Sequence, residues 1–204
     1  MTMIEVYADV WCPFTHVGLR RLVERRNEQD ADVGLRVHSW PLELVNGKPM
    51  DAQFIGDEID DLREQVSPDL FTGFRVATFP TTTLPALALA EAAYGVDQAR
   101  GEAMSLSIRA ALFEEGRDIS DPQVLRELAA SLDVPPASEA DRAAVEASWV
   151  RGQQQGVVGS PHFFTPSGNY FCPALDIERV DGHLVIKPDV AAFDAFVAEC
   201  FAPM

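Results

Sequence analysis

"DVWCPFTHVG", residues 9–18, joins two different periodicities. Ahead of it, Ile4, Val6, Ala8 and Val10 alternate with Met3, Glu5, Tyr7 and Asp9, which is the period-two pattern of a strand. Behind it, Pro13 stands where a helix can begin, because the first turn has no use for a proline's missing N–H. Leu19, Leu22 and Val23 then carry helical spacing among Arg20, Arg21, Arg25 and Arg26, and the helix is predicted to end near Asn27 to Asp30. Val33, Leu35 and Val37 alternate with Gly34, Arg36 and His38, a second strand that Pro41 closes. The result is a β-α-β unit with Cys12 at the carboxyl end of the first strand and the start of the first helix.

That position gives Cys12 a chemical case. A sulfur at a helix N-terminus faces unpaired backbone N–H groups and the positive end of the helix dipole. Both favour the thiolate, the reactive form. The alternative is a buried cysteine that acts as a small hydrophobe. Thr15 falls one turn into the helix, where its hydroxyl can donate to the Cys12 sulfur or bond locally to backbone. His16 would lower the thiol's pKa if its ring approached the sulfur. Trp11 and Phe14 flank the thiol, as an apolar binding wall or as packing.

From about residue 46 the character changes. "NGKPMDAQ" is turn-rich, and roughly a hundred residues follow without a convincing strand. "LPALALAEAAYGV" and "EAMSLSIRAALFEEG" read as helices. "SDPQVLRELAASLDV" has Asp121 as a candidate N-cap and Pro122 at the first position, and "SEADRAAVEASWVRGQQQG" is a helix stopped by Gly156. Strand signals return in "GSPHFFTPSGNYFCP": Phe163 and Phe164 precede a Pro-Ser-Gly turn at 166–168, and Tyr170 to Cys172 form the returning strand. Pro188 is predicted to open a last helix with Phe193, Phe196, Val197, Cys200 and Phe201 on one face.

Composition narrows the function. The chain has 204 residues, 47% of them apolar, with 16 Lys and Arg against 32 Asp and Glu, a net charge of −16. That balance argues against nucleic acid as a partner, since phosphate binding needs clustered cations. No window approaches 18 consecutive apolar residues, so no membrane span is expected. "MTMIEVYADVW" lacks the basic and apolar regions of a signal peptide, so a cytoplasmic location is expected, with Cys12 a free thiol. Three cysteines exclude a disulfide-dense scaffold. His38 and His183 have no metal-ligand spacing to another His or Cys, and no metal site is expected.

The plan β-α-β, helical block, β-β-α, together with "DVWCPFTHVG", "HSWPLELVNG", "LFEEGRDISDPQVLRELA" and "GVVGSPHFFTPSG", resembles the DsbA family of thioredoxin-fold oxidoreductases. Within it, the chain is most similar to the cytoplasmic branch of FrnE-like proteins, thiol-dependent reductases and 2-hydroxychromene-2-carboxylate isomerases. The resemblance implies an α/β, thioredoxin-like fold with a large all-helical insertion: residues 1–45 and 157–204 form the thioredoxin-like domain and 46–156 the insertion, packed over Cys12. It also implies a cis peptide bond before Pro161, opposite Cys12, leaving the backbone of Ser160 free to hold a substrate as an added strand.

The chain departs from that family at one residue. Redox-active members carry C-x-x-C, and here Thr15 stands at the second position; isomerase and kappa-class glutathione transferase relatives carry Ser at the first, where this chain keeps Cys12. The resemblance thus implies a single-cysteine thiol oxidoreductase or transferase, with Cys12 and Thr15 catalytic and Trp11, Pro13, Phe14, His16, Ser160, Pro161 and His162 in the substrate site. No cofactor is held tightly; glutathione or mycothiol serves as co-substrate. The partner is a small-molecule thiol or disulfide, with a peptide and a homodimer left open. A thiol-dependent isomerase and a redox-inactive peptide-binding or chaperone module remain as alternatives. Strand spacing of about 4.8 Å puts Cys172 some two spacings from Cys12, beyond disulfide reach, so Cys172 is read as structural or as a pocket wall and Cys200 as core.

Overall fold

A computed structural model describes residues 2–165, 168–181 and 183–202. The N-terminal unit runs β1 (Thr2–Ala8), α1 (Pro13–Glu28) and β2 (Val33–Ser39). Six helices follow: α2 (Leu42–Asn46), α3 (Ala52–Gln65), α4 (Leu84–Val96), α5 (Gln98–Phe113), α6 (Pro122–Ser131) and α7 (Glu139–Gln154). The chain then returns through β3 (His162–Thr165), β4 (Gly168–Phe171), β5 (Leu175–Val180), β6 (His183–Pro188) and α8 (Val190–Cys200). Pro166 and Ser167 of the expected turn lie outside the described residues.

The main sheet has the order β2-β1-β3-β4; β1 pairs β2 in parallel and β3 antiparallel, and β4 lies antiparallel at the edge. Alternation along β1 divides the layers. Ile4, Val6 and Ala8 face α1 and α8, where Phe163 of β3 meets Phe196 of α8 at 5.0 Å between ring centroids. Tyr7 faces the other side, with His38 stacked on it at 4.8 Å and Trp40 edge-on at 6.3 Å. There α7 crosses the sheet at Gly152, where a Cβ would stand 2.6 Å from the Trp40 ring. Only a residue without a side chain lets the helix come so close.

The outer edge of β2 is closed by side chains. The Tyr94 hydroxyl accepts from Val37 N (2.8 Å) and donates to Leu35 O (3.0 Å). Leu35 N donates to Glu102 Oε2 (2.9 Å), and Gln98 donates to Leu35 O (2.8 Å). The α4–α5 hairpin thus satisfies backbone groups that an edge strand leaves open.

Three sequence expectations need correction. A second sheet, β5–β6, stands apart from the main one and was missed, although Asp181-Gly182 between two alternating runs is a hairpin signature. It docks on α3, where Gln65 bridges Leu184 O and Ile186 N and Asp61 accepts from Leu184 N. Pro188 therefore ends β6 instead of opening a helix, and Asp189 caps α8 by accepting from Ala192 N (2.8 Å). Cys172 does not extend β4; it turns into the left-handed region at φ 47°.

Candidate active site

Cys12 is the N-cap of α1, in extended conformation, with Pro13 at the first helical position. The Ser160–Pro161 peptide bond is cis. It brings the Ser160 carbonyl to 3.0 Å from the Cys12 sulfur, where the thiol donates to it. The chain segments 148 residues apart are joined a second time by the Thr15 and Ser160 hydroxyls, 2.8 Å from each other. Asp9 N donates to the same Ser160 oxygen (2.9 Å). The Thr15 backbone N–H and the Thr15 and Ser160 hydroxyls are placed to bond the sulfur, and because the two hydroxyls share a bond with each other, one of their two protons is free for it.

These donors do not prevail at rest. Cys12 is 5% exposed, and burial pushes its thiol above the usual range despite them, with the charge of Glu58 pushing the same way. The lowering expected of a thiol at a helix start is not found in this closed arrangement, where burial of the sulfur anion outweighs the hydrogen bonds offered to it.

The expected flanking residues separate into two groups. Pro13, Thr15, Ser160 and Pro161 are buried around the thiol. Phe14 is half-buried and lines a narrow cleft with Gly18, Pro161, Phe163, Cys172 and Phe193. Trp11 is fully buried and stacks on Phe79 at 5.9 Å, so it packs the loop rather than offering a free wall. Its indole N–H has no hydrogen-bond partner among the described residues.

His16 turns away from the sulfur. Its Nε2 lies 2.7 Å from Glu114 Oε1, and its ring sits between Phe71 and Phe113. Burial lowers its pKa in spite of Glu114. Burial would raise Glu114 in turn, but bonds from His16, Phe71 N and Thr72 N hold it down at about 2. His162 is likewise committed: Nδ1 accepts from Val158 N (3.1 Å), which leaves Nε2 to donate to Asn169 Oδ1 (3.1 Å). The ring stacks on Phe164 and braces the loop leading to Pro161.

Cys172 donates its backbone N–H to Pro161 O (3.1 Å), and burial raises its thiol to about 12. Cys200 lies in the core, also raised to about 12 by burial. All three cysteines are free.

The structure adds residues that sequence reading passed over. Asp9 is fully buried, accepts from Trp11 N and Leu42 N, and is raised by burial to about 6. Arg109, 1% exposed, donates to Asp9 O (3.3 Å) and Ser105 O (2.8 Å). Glu58 of α3 is raised by burial to about 7 and pairs with Arg179 of β5 at 2.6 Å. Asp9 was readable only as one position of an alternating strand; "D-x-x-C" ahead of a helix was the signal available. No group of three or more His, Cys, Asp or Glu among the described residues could hold a metal ion.

The profile of the DSBA-like thioredoxin domain matches residues 3–185. The chain belongs to this family. Solved structures of three proteins share the fold of this DSBA-like chain. A probable DsbA oxidoreductase from Streptomyces coelicolor is 19% identical, with TM-score 0.61 over 100% of this chain and 93% of that one. A 2-hydroxychromene-2-carboxylate isomerase is 15% identical, with TM-score 0.62 over 83% and 88%. The cytosolic disulfide reductase DsbM from Pseudomonas aeruginosa, solved with GSH, is 20% identical, with TM-score 0.53 over 96% of each chain. At such identities the likeness is one of fold. No protein of curated function matches the sequence. The DSBA-like family includes disulfide oxidoreductases and isomerases, and no helix among the described residues is long and apolar enough to cross a membrane.

Proposed function

We propose that this DSBA-like protein is a single-cysteine thiol oxidoreductase or transferase in which Cys12 is the nucleophile and an external low-molecular-weight thiol completes turnover. The observation that carries the reading is the Cys12–Thr15–Ser160 cluster, with a hydroxyl where a resolving thiol would stand. At rest the sulfur is protonated and donates to Ser160 O. Loss of that proton turns the contact into repulsion between anion and carbonyl, while the Thr15 N–H and one hydroxyl proton of the Thr15–Ser160 pair remain to hold the thiolate. The thiolate attacks one sulfur of a mixed disulfide R–S–S–G, releases RS⁻ and keeps Cys12–S–S–G. A second thiolate, GS⁻, attacks that bond, leaves as G–S–S–G and returns Cys12 to its starting state.

The thiol is of the glutathione or mycothiol class, bound no longer than the mixed disulfide lasts. Such a cycle belongs in a reducing cytoplasm. A DsbM structure solved with GSH supports a small-thiol partner. The isomerase alternative rests on likeness of fold alone.

The test loads Cys12 from oxidised glutathione or mycothiol disulfide, removes excess reagent, and follows release by mass spectrometry. Release that rises in proportion to added thiol supports the proposal. Fast release without added thiol means an internal resolver, and absence of any Cys12 adduct favours a binding module.

A further inference from the structure

A groove of about 730 Å³ opens between α4, α6 and the start of α7. Its size falls inside the roughly 300–1,000 Å³ range of small-molecule sites. Pro85, Ala88, Leu89, Leu125, Ala129 and Val134 supply its apolar surface, and no aromatic ring is among the residues that line it. An all-aliphatic wall has no face for ring stacking and suits a flexible hydrocarbon chain.

The charge at its rim runs against the rest of the molecule. The chain carries twice as many acidic as basic residues, yet the groove is lined by Arg126 and Arg142 and by no Asp or Glu. Arg126 has no hydrogen bond or ion pair among the described residues. Arg142 donates to Glu139 at 3.0 Å, but both side chains are exposed, and a pair of that kind contributes little and yields readily to another carboxylate. Two exposed guanidiniums beside an aliphatic trough match one ligand chemistry: an alkyl chain with an anionic head that accepts their N–H groups.

We propose that this groove binds a medium-chain aliphatic carboxylate, with the chain along α4 and α6 and the head between Arg126 and Arg142. Cys12 is not among the residues that line it, and the site does not depend on thiol chemistry.

Dodecanoate below its micelle concentration is the probe, titrated into the whole protein by calorimetry, with dodecylamine as the control of opposite charge. Dodecanoate is expected to bind one-to-one in the micromolar range, and dodecylamine at least ~10-fold more weakly. Arg126→Gln with Arg142→Gln should weaken dodecanoate by at least ~10-fold and leave dodecylamine unchanged. Ala130 lines the groove from an exposed position, so Ala130→Trp should fill it without disturbing the core and abolish binding. Cys12→Ser should bind dodecanoate as the unaltered protein does, which separates this site from the thiol chemistry. No dodecanoate binding, equal affinity for dodecylamine, or full binding in Ala130→Trp would overturn the assignment. So would a groove that ignores monomeric dodecanoate but takes up an amphipathic peptide or a lipid vesicle.

Discussion

Thr15 Oγ1 and Ser160 Oγ lie 2.8 Å apart, and Ser160 Oγ also accepts from Asp9 N. With its oxygen occupied by that donor, the Ser160 hydroxyl can pass its own proton toward Thr15, which frees the Thr15 proton for the Cys12 sulfur. The hydroxyls therefore act in series, and a donor chain of this kind strengthens at its last member.

Thr15→Val keeps the shape and removes that last donor. The Cys12 thiol should rise by about one further pKa unit, so its alkylation near neutral pH should slow by about tenfold. Iodoacetamide rates measured against pH report this, and an unchanged profile would mean that the Thr15 hydroxyl serves only the helix.

Thr15→Cys places a second thiol one turn from the first. An internal attack then replaces the external thiol, so release from a glutathione adduct should become independent of added thiol. Stopped-flow release with and without thiol reads the change; a variant that still needs added thiol would show that the 12–15 geometry forbids ring closure.

His16→Gln should leave the Cys12 titration where it is, because the imidazole is held by Glu114 at 2.7 Å and contributes nothing that the sulfur senses. Glu114→Gln should instead loosen residues 71 and 72, whose N–H groups the carboxylate holds. Hydrogen exchange at those amides would speed up by about tenfold or more for the loss of charge-assisted bonds.

Burial of Glu58 should make its own contribution to stability fall as pH rises through the mildly acid range. Glu58 moves from the usual 4.5 to about 7 by burial, so its folded value lies above its unfolded one. Its contribution is complete below pH 4.5 and is lost as pH climbs to about 7, a difference of roughly 3 kcal/mol. Asp9, at about 6, acts in the same direction; His38, lowered by burial to about 4, and His16, also lowered by burial, act in the opposite one over the same range, and Glu114, at about 2, does so at lower pH. The Glu58 contribution is therefore read as a difference: the urea midpoint of Glu58→Gln should gain on that of the unaltered chain as pH rises from 4 to 8, and parallel curves would exclude Glu58 as a source.

Gly152→Ala forces a methyl group to within 2.6 Å of Trp40 and 3.0 Å of Tyr7. The helix must lift from the sheet, at a cost of about 1–3 kcal/mol. Thermal unfolding of this variant beside Gly95→Ala, where nothing lies within 4 Å, isolates the contact; equal melting temperatures would contradict it.

What could be read from the sequence follows from range. Local signals were legible: Asp121 and Pro122 start α6, Gly156 follows the end of α7, and Cys12-Pro13 starts α1, each from its neighbours alone. The pairing of Cys12 with Ser160 came through resemblance, since nothing local links residues 148 apart. The sign of the Cys12 shift was not legible, because desolvation depends on how closely segments distant in sequence, such as the loop at Ser160, close over the sulfur. Nor was Arg109, which sits inside an Ala- and Leu-rich helix and looks, by pattern, like any surface cation. The β5–β6 hairpin was legible in its alternation and its Asp-Gly pair, and was lost to a proline read as a helix start.

The sheet has two ends, and they are unequal. At β2 the amides of Leu35 and Val37 and the Leu35 carbonyl already have partners from α4 and α5, whereas no described strand pairs with the outer side of β4. Within the main sheet, strand addition is therefore open at the β4 end alone. Two copies joined β4 to β4 would present β2 at both extremities of the shared sheet, where its groups are already partnered. Tyr94, far from the thiol in sequence, thus closes that end of the main sheet to another strand.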